Sequence, residues 1–241
     1  MDCPKCRSPK VNEFSGSKIR TYYQCALCRH EWYGIHPIED YVKERNIQDI
    51  FHFTKVENLA DILRNGLIPR SELEKRWPQD HFNDPYRLDG ARNASCLSIG
   101  FPNYKMFYEL RERMPAASWI VISFRPDVLW KCECAFSVDN AASNKARSVP
   151  IADRLGVNAL STLFDDYAGK PTRAELEIPS YCTTNPQAEV LVFGTIPPEY
   201  LQSVYFADEP TLQNSNALTT SARFVVAPMY FSWRADYKHW K

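Results

Sequence analysis

Two pairs of cysteines constrain the fold of this chain more than any other feature of its sequence. Cys3 and Cys6 form one Cys-x-x-Cys pair, Cys25 and Cys28 form the other, and 18 residues separate the pairs. Each pair places two thiolates on one side of a tight turn, so two such turns can supply the four sulfurs of a tetrahedral zinc site. The spacing predicts a structural zinc ribbon over residues 1–34, because four cysteine ligands leave no coordination position for a catalytic water.

Two alternatives for these cysteines are disulfides and redox thiols. Disulfides are typical of secreted proteins, and the N-terminus lacks the basic start and apolar stretch of a signal peptide. A redox Cys-x-x-Cys normally occurs singly, beside a βαβ pattern.

Because no apolar run reaches the ~18–20 residues that span a bilayer, we expect a cytoplasmic protein without a membrane partner.

The predicted ribbon is basic, although the 241-residue chain carries no formal net charge. Residues 1–30 hold six basic and two acidic residues, whereas residues 31–241 hold 23 basic and 27 acidic residues, a net of −4. Tyr22 and Tyr23 lie among the basic residues. Basic and aromatic side chains together can hold a nucleic-acid strand by phosphate contact and base stacking. The alternative for the ribbon is a stabilising appendage.

Residues 35–241 are predicted to form one α+β domain. Hydrophobic patterning predicts strands over 47–54, 96–99, 119–124, 130–136, 188–193 and 204–206, and a last strand within 224–240. It predicts helices over 56–65 and 103–114 and around 152–163, a connector over 31–45, and long polar loops over 70–94 and 137–186. Cys132 and Cys134 are interpreted as core residues. This order lacks the regular βαβ alternation of a doubly wound sheet.

A first group of polar residues lies at a strand-to-helix turn. His52 and Thr54 share one face of the predicted strand, opposite Phe51 and Phe53, and Asn58 lies in the first turn of the helix that follows. A histidine, a threonine and an asparagine that converge there could bind a ribose or a carboxamide. The alternative is that these side chains only form hydrogen bonds within the protein, at a polar edge of the fold.

Two further positions combine charge with an unusual place in the chain. Arg87 lies at the end of a long loop, where a guanidinium can clamp a diphosphate, and Arg92 competes for that role. Glu189 opens an otherwise apolar strand, and Gln187 shares its side. A carboxylate there could stabilise the positive charge that develops on a sugar during glycosyl transfer. The alternative is an edge glutamate in water.

Together these elements resemble the DarT family of NAD-dependent ADP-ribosyltransferases, which modify bases in DNA as bacterial toxins or phage-defence enzymes. The matching segments are residues 52–59 (HFTKVENL), 62–67 (ILRNGL) and 187–192 (QAEVLV), and the resemblance spans about residues 47–206. It implies an ADP-ribosyltransferase-like split β-sandwich core with few helices, to which the four-cysteine zinc ribbon is an addition.

The resemblance also implies a role for each polar residue. His52, Thr54 and Asn58 would hold NAD, Arg87 would bind its diphosphate, and Glu189 would be catalytic. Residues that would contact the acceptor strand are Gln187, Asn185 and Tyr167, with Asp165 and Asp166 beside them.

The activity implied is transfer of ADP-ribose from NAD to a base of single-stranded nucleic acid, since flipping a paired base costs a few kcal/mol. A glutamine in the Gln-x-Glu position favours a base over an arginine as target. The segment Asn93–Arg111 departs from the thymidine-modifying members, so the base, and DNA versus RNA, stay open. A toxin of this kind implies a neutralising antitoxin. The alternatives are a protein-directed ADP-ribosyltransferase and a non-catalytic zinc-ribbon protein that binds nucleic acid.

Overall fold

The N-terminal residues form a small antiparallel sheet. The structure is a computed structural model that describes residues 1–16, 19–34, 36–76, 91–215, 218 and 220–240. Strands β1 (Val11–Gly16), β2 (Ile19–Cys25) and β3 (Glu31–Tyr33) pair in the order β1-β2-β3. Val11 faces Cys25 across the first pair, so the two Cys-x-x-Cys turns lie at the same end of the sheet. The segment predicted to be a zinc ribbon thus contains a three-stranded antiparallel sheet.

Seven strands form the main sheet. They are β4 (Ile50–Lys55), β5 (Ala94–Ile99), β6 (Trp119–Phe124), β7 (Cys134–Ser137), β8 (Glu189–Phe193), β9 (Leu201–Phe206) and β10 (Arg223–Val226). Their order is β10-β9-β6-β4-β5-β8-β7. β10 runs parallel to β9, and every other neighbouring pair is antiparallel.

The main sheet opens in its middle, between β4 and β5. All six residues of β4 pair with β6, but only Ile50 and Phe51 pair with β5. Beyond Phe51 the two strands separate, and the ring of His52 reaches the carbonyl oxygen of Cys96 on β5 at 2.9 Å. This opening confirms the predicted α+β fold with a split β-sandwich core.

Short helices fill the connections between the strands. They are α1 (Pro37–Glu44), α2 (Leu59–Asn65), α3 (Arg70–Arg76), α4 (Tyr104–Arg113), α5 (Val128–Lys131), α6 (Asn144–Arg147), α7 (Gly156–Thr162) and α8 (Glu209–Ser215). Single turns of 3-10 helix cover Val56–Asn58, Ile151–Arg154, Pro198–Tyr200, Pro228–Phe231 and Tyr237–Trp240. Among the described helices, none is both long and apolar enough to cross a membrane.

Several predicted connections were wrong. The connector over 31–45 holds β3 and α1, and the loop over 70–94 begins with α3. Pro37 opens α1 because a first-turn residue needs no N–H partner, and His36 Nδ1 accepts from the Ile38 N–H at 3.2 Å. Residues 128–131 are helical, so the strand predicted over 130–136 begins only at Cys134. The strand predicted in the tail is confined to β10, and 3-10 turns follow it.

The main sheet packs an apolar core against each face. One core contains Ile50, Leu97, Ile122 and Val190, with Cys134 buried in it and Cys132 packed against it, as predicted. The other core lies under α4, where Phe107 stacks on Phe53 with ring centroids 4.6 Å apart. Side chains alternate along a strand, so Val190 enters the first core while Glu189 points to the face that α4 covers.

Candidate active site

The carboxylate of Glu189 is buried, with only 4% of the residue exposed. Its Oε1 accepts from the side-chain amides of Asn103 and Asn140, both at 3.3 Å. Its Oε2 accepts from the backbone N–H of Ala141 at 2.8 Å. A buried carboxylate requires such donors, because an uncompensated charge away from water is costly. The alternative of an edge glutamate in water is therefore wrong.

The two asparagines can only donate to Glu189. The Oδ1 of Asn103 already accepts from the N–H of Met106 at 3.2 Å and caps α4. The Oδ1 of Asn140 accepts from the N–H of Ala142 at 2.8 Å. Each amide oxygen is thus held by a backbone donor, which leaves the amide nitrogen directed at the carboxylate.

A tight turn brings Asn103 to this position. Gly100 has φ +77, and a Cβ there would lie 2.3 Å from the carbonyl oxygen of Tyr181, so only glycine fits. The N–H of Asn103 then donates to Ser98 Oγ at 3.2 Å, which ties the turn to the end of β5. The sequence analysis missed Asn103 and Asn140. Asn103 carried a usable signal as an N-cap, whereas Asn140 lies in a polar stretch without a motif.

The structure brings together the polar residues predicted on β4 and at the helix that follows. Asn58 donates to Thr54 Oγ1 at 2.9 Å, and Thr54 is buried. Because the Cys96 carbonyl can only accept, His52 carries a proton on Nδ1. Cys96 in turn pairs with Leu191 on β8, two residues beyond Glu189, so β5 links the two groups of polar residues.

The predicted loop arginine, Arg87, lies outside the described residues. Its competitor Arg92 forms an ion pair with Glu74 at the surface. Arg70 binds the same carboxylate at 2.7 Å, and the two guanidinium groups lower the pKa of Glu74. Arg92 is thus engaged in a pair between the start of β5 and α3.

A pocket of about 250 Å³ is lined by four of the five residues predicted to contact the acceptor strand, and Gln187 is not in its lining. Its lining includes Tyr167 and Asn185, together with Asp165, Asp166 and Lys145. Asn185 is anchored by its amide to the carbonyl of Val138 at 3.0 Å, and its Oδ1 accepts from the Gln187 N–H at 2.9 Å. The pocket therefore borders the two segments that hold Glu189, residues 138–141 and 183–189.

One positive charge stands at this pocket. Lys145 Nζ lies 3.3 Å from the hydroxyl of Tyr167 and 3.4 Å from Asp139, and the hydrogen bond to Tyr167 raises the pKa of Lys145. Burial, followed by the hydrogen bond to Asp139, raises the pKa of Tyr167. At neutral pH the pocket thus contains a cationic lysine and a neutral phenol. The sequence analysis missed Lys145.

The chain's C-terminal tail holds the segment before Glu189. Arg234 donates to the carbonyls of Thr183 and Thr184 and to both oxygens of Asp236, all at 2.6–2.7 Å. The Trp240 indole also donates to Asp236, and the Trp240 carbonyl accepts from Lys105 of α4. Arg234 and Asp236 are buried. This ion pair therefore lies in an interior junction where the tail contacts residues 183–184 and α4, which we call the tail junction.

The four N-terminal cysteines form a separate site. Their Sγ atoms all lie within 4.8 Å of one another, with Cys3 to Cys28 at 3.6 Å and Cys6 to Cys25 at 3.5 Å. A tetrahedron with Zn–S bonds of about 2.3 Å has edges of about 3.8 Å, so the donor set fits zinc. The N–H of Cys28 donates to Cys25 Sγ at 3.4 Å, and such backbone donors lower the pKa of Cys25 to about 6.

A split sheet with a buried carboxylate at the first residue of β8 is the arrangement that the resemblance to ADP-ribosyltransferases predicts. Residues 51–232 match the family described as ssDNA thymidine ADP-ribosyltransferase, DarT. The chain belongs to the DarT family, since the match covers well over half of it. A search of the curated proteins found no match.

Several solved structures are similar to this chain, including the following two. The DarTG of Thermosipho africanus in complex with ADP-ribose is 16% identical, with a TM-score of 0.52 over 76% of this chain and 51% of that chain. The DarT of Thermus sp. 2.9 in complex with carba-NAD+ is 13% identical, with a TM-score of 0.54 over 77% and 98%. At these identities the similarity shows the fold, and this chain spans about half the length of the DarTG chain.

Membership confirms the family and the enzyme class that the sequence predicts, an ADP-ribosyltransferase. The family description names single-stranded DNA and thymidine, where the sequence alone leaves the polymer and the base open.

The tail junction makes a stability prediction. Arg234→Ala leaves the Asp236 carboxylate and two buried carbonyls short of donors, so the free energy of unfolding should fall by about 3–5 kcal/mol. The measurement is urea unfolding at fixed metal content. The control is Arg223→Ala, whose side chain is exposed on β10 and whose effect should stay within about 0.5 kcal/mol. Equal effects of the two substitutions would contradict the junction.

Proposed function

We propose that this protein transfers one ADP-ribose from NAD to thymidine in single-stranded DNA, with Glu189 as the catalytic carboxylate. The observation that carries the proposal is a buried carboxylate with three hydrogen-bond donors at the first residue of β8, in a chain of the DarT family. A carboxylate held this firmly can stabilise charge in a transition state without reorganising.

The chemistry asked of Glu189 is electrostatic first. As the bond from ribose C1 to nicotinamide breaks, positive charge grows on the sugar, and a fixed carboxylate stabilises that charge. A base nitrogen of the acceptor then bonds to C1, and its proton leaves to the carboxylate or to water. Asn103 and Asn140 act as positioning residues, because they fix the orientation of Glu189.

The NAD-binding residues we propose lie at the opening between β4 and β5. Asn58 donates to Thr54 there and His52 donates to the Cys96 carbonyl, and the family resemblance assigns all three residues to NAD. Arg87 is proposed for the diphosphate on the same resemblance. We propose that the acceptor DNA strand binds at the pocket with Tyr167 and Asn185. Gln187 is proposed to contact the target base. Lys145 is proposed to contact a phosphate of the flanking nucleotides in exchange for its ion pair with Asp139, since it is the cationic residue of the pocket lining.

Three further features complete the proposal. Zinc bound by Cys3, Cys6, Cys25 and Cys28 would hold the ribbon's two turns together, and it would take no part in the transfer. Because the activity damages DNA, we infer an antitoxin that restrains it in the producing cell. DNA and NAD occur together in the cytoplasm, so we place the activity there.

The direct test incubates the protein with NAD and single-stranded DNA or RNA oligonucleotides of different base content, and records oligonucleotide masses and nicotinamide release. We expect a gain of one ADP-ribose only on thymidine-containing DNA. Glu189→Gln should lower the rate by about 10²–10³-fold, because the charge stabilisation is lost.

The matched control for this test is Glu133→Gln, which changes an exposed glutamate in the segment before β7. It should transfer at the parent rate. Nicotinamide release without an oligonucleotide product would point to protein or water as acceptor. Intact NAD with every substrate would reject the enzyme.

Asn103 offers a second test that separates positioning from helix capping. Asn103→Asp keeps a good N-cap but sets a second carboxylate against Glu189, whereas Asn103→Ser keeps the cap and only removes the donor. The Asp variant should lose more activity than the Ser variant at pH 7.

The direction in which the activity of Asn103→Asp changes with pH tests this explanation. Like charges raise the pKa of one member of a carboxylate pair, and the protonated aspartic acid can donate as the amide did. Activity of Asn103→Asp relative to the parent should therefore rise as the pH falls. A ratio that does not change with pH would reject the positioning role.

Metal analysis tests the zinc site. Dialysed protein should contain about one zinc per chain, and Cys25→Ser should lose it, because three thiolates bind zinc more weakly than four. Cys132→Ser, which alters a thiol packed against the core, is the control and should keep the zinc. Metal-free parent protein with an intact ribbon would contradict the assignment.

A further inference from the structure

The two cysteine turns of the ribbon share an unusual backbone position. Arg7 follows Cys6 and Arg29 follows Cys28, and both arginines have φ 58, in the left-handed region. The N–H of Arg7 donates to the Cys3 carbonyl at 2.8 Å, and the N–H of Arg29 donates to the Cys25 carbonyl at 3.0 Å. The turns are thus equivalent, and each places an arginine where glycine would be free of strain.

This placement has a cost. A residue with a side chain is less stable in the left-handed conformation than in the right-handed one, and glycine avoids this strain. The chain carries arginine at both equivalent positions instead. Arginine thus occupies a backbone conformation that it disfavours in both turns, which indicates that its side chain has a role.

Neither guanidinium has a partner in the described part of the chain. Arg7 and Arg29 are exposed, and the described hydrogen bonds and ion pairs use only their backbone groups. Lys5 and Lys10 are exposed near the first turn and add to the positive charge. Cations without protein partners, fixed at two equivalent turns, are suited to an anionic ligand with regularly spaced charges.

A row of stacked rings begins next to Arg29. The ring of His30 stacks on Trp32 with centroids 5.7 Å apart, and Trp32 stacks on Tyr23 at 5.6 Å. Trp32 and Tyr23 are paired residues on β3 and β2, so their rings share one face of the ribbon. All three side chains are partly exposed. Aromatic faces beside phosphate-binding cations are the arrangement that holds single-stranded nucleic acid.

We infer that the ribbon is a second binding site for the acceptor strand: Arg7 and Arg29 bind its phosphates, and the row His30, Trp32 and Tyr23 stacks its bases. The inference rests on the proposed function, because it takes single-stranded DNA as the ligand. The ribbon lies outside the residues that match the DarT family, 51–232, so it adds affinity without entering the transfer.

A competing explanation assigns the arginines to the metal. Zinc with four thiolates carries a net charge of −2, and two nearby cations would offset it. The two explanations differ in what they predict for arginine-to-glycine variants. Glycine suits the backbone at both positions, so loss of the fold does not obscure the result.

The experiment compares the parent with the double variant Arg7→Gly/Arg29→Gly. Binding of a fluorescent thymidine-rich single-stranded DNA is measured without NAD at several salt concentrations, together with zinc content and urea unfolding. We expect full zinc content, at least tenfold weaker binding, and a slope of log K against log salt that is smaller by about 1.4. Asn46→Gly, which has φ 56 in the parent and changes no charge, is the control and should bind as the parent does.

Two outcomes overturn the inference. Loss of zinc in the double variant would assign the arginines to the metal centre, and unchanged DNA affinity with zinc retained would remove them from binding. The assay contains no NAD, so it is independent of catalysis. A parent that binds through the arginines but transfers nothing would reject the proposed function alone.

Discussion

Burial of the Glu189 carboxylate is the constraint on which the rest of the main domain depends. A charge held at 4% exposure needs donors that arrive with the fold, and the three it uses come from two other segments. The turn after β5 must deliver Asn103, and the turn after β7 must deliver Asn140 and Ala141. The turns after β5 and β7 and the cap of α4 are therefore parts of one arrangement around a single side chain.

The same arrangement extends to the acceptor side. Asn185 ties the segment before β8 to residues 138–139, and Arg234 ties that segment to the tail. Lys105 of α4 then binds the carbonyl of Trp240, so the helix that positions Asn103 also holds the tail. A displacement of the tail would thus change the positions of the residues that line the pocket with Tyr167 and of the donors to Glu189.

The ribbon follows a different logic. Among the ribbon side chains whose burial is described, the buried apolar ones are Cys3 and Cys25, so the order of the ribbon depends on the four sulfurs that meet at one end of the sheet. Side chains elsewhere in the ribbon are consequently less restricted by packing. That freedom accounts for a surface that can carry arginines and exposed rings, whereas the buried charges around Glu189 and Arg234 are each held by fixed partners.

The sequence by itself determined the features that depend on neighbours along the chain. The Cys-x-x-Cys spacing, the alternation around His52 and the apolar strand after Glu189 are local patterns, and they were sufficient to predict the ribbon, the family and the candidate catalytic carboxylate. Helices α1 and α3 were missed because they are short and their patterns are mostly polar. Arg87 stays a prediction, because it lies outside the described residues.

Only the tertiary structure decided which polar groups meet. Asn103 and Asn140 reach Glu189 across 86 and 49 positions of the chain, and Arg234 reaches Thr184 across 50. No local pattern encodes such a pairing, because the partner of a buried polar group is selected by how the strands and turns pack. The residue proposed to carry the chemistry was therefore visible in the sequence, whereas the residues that hold it in place were not.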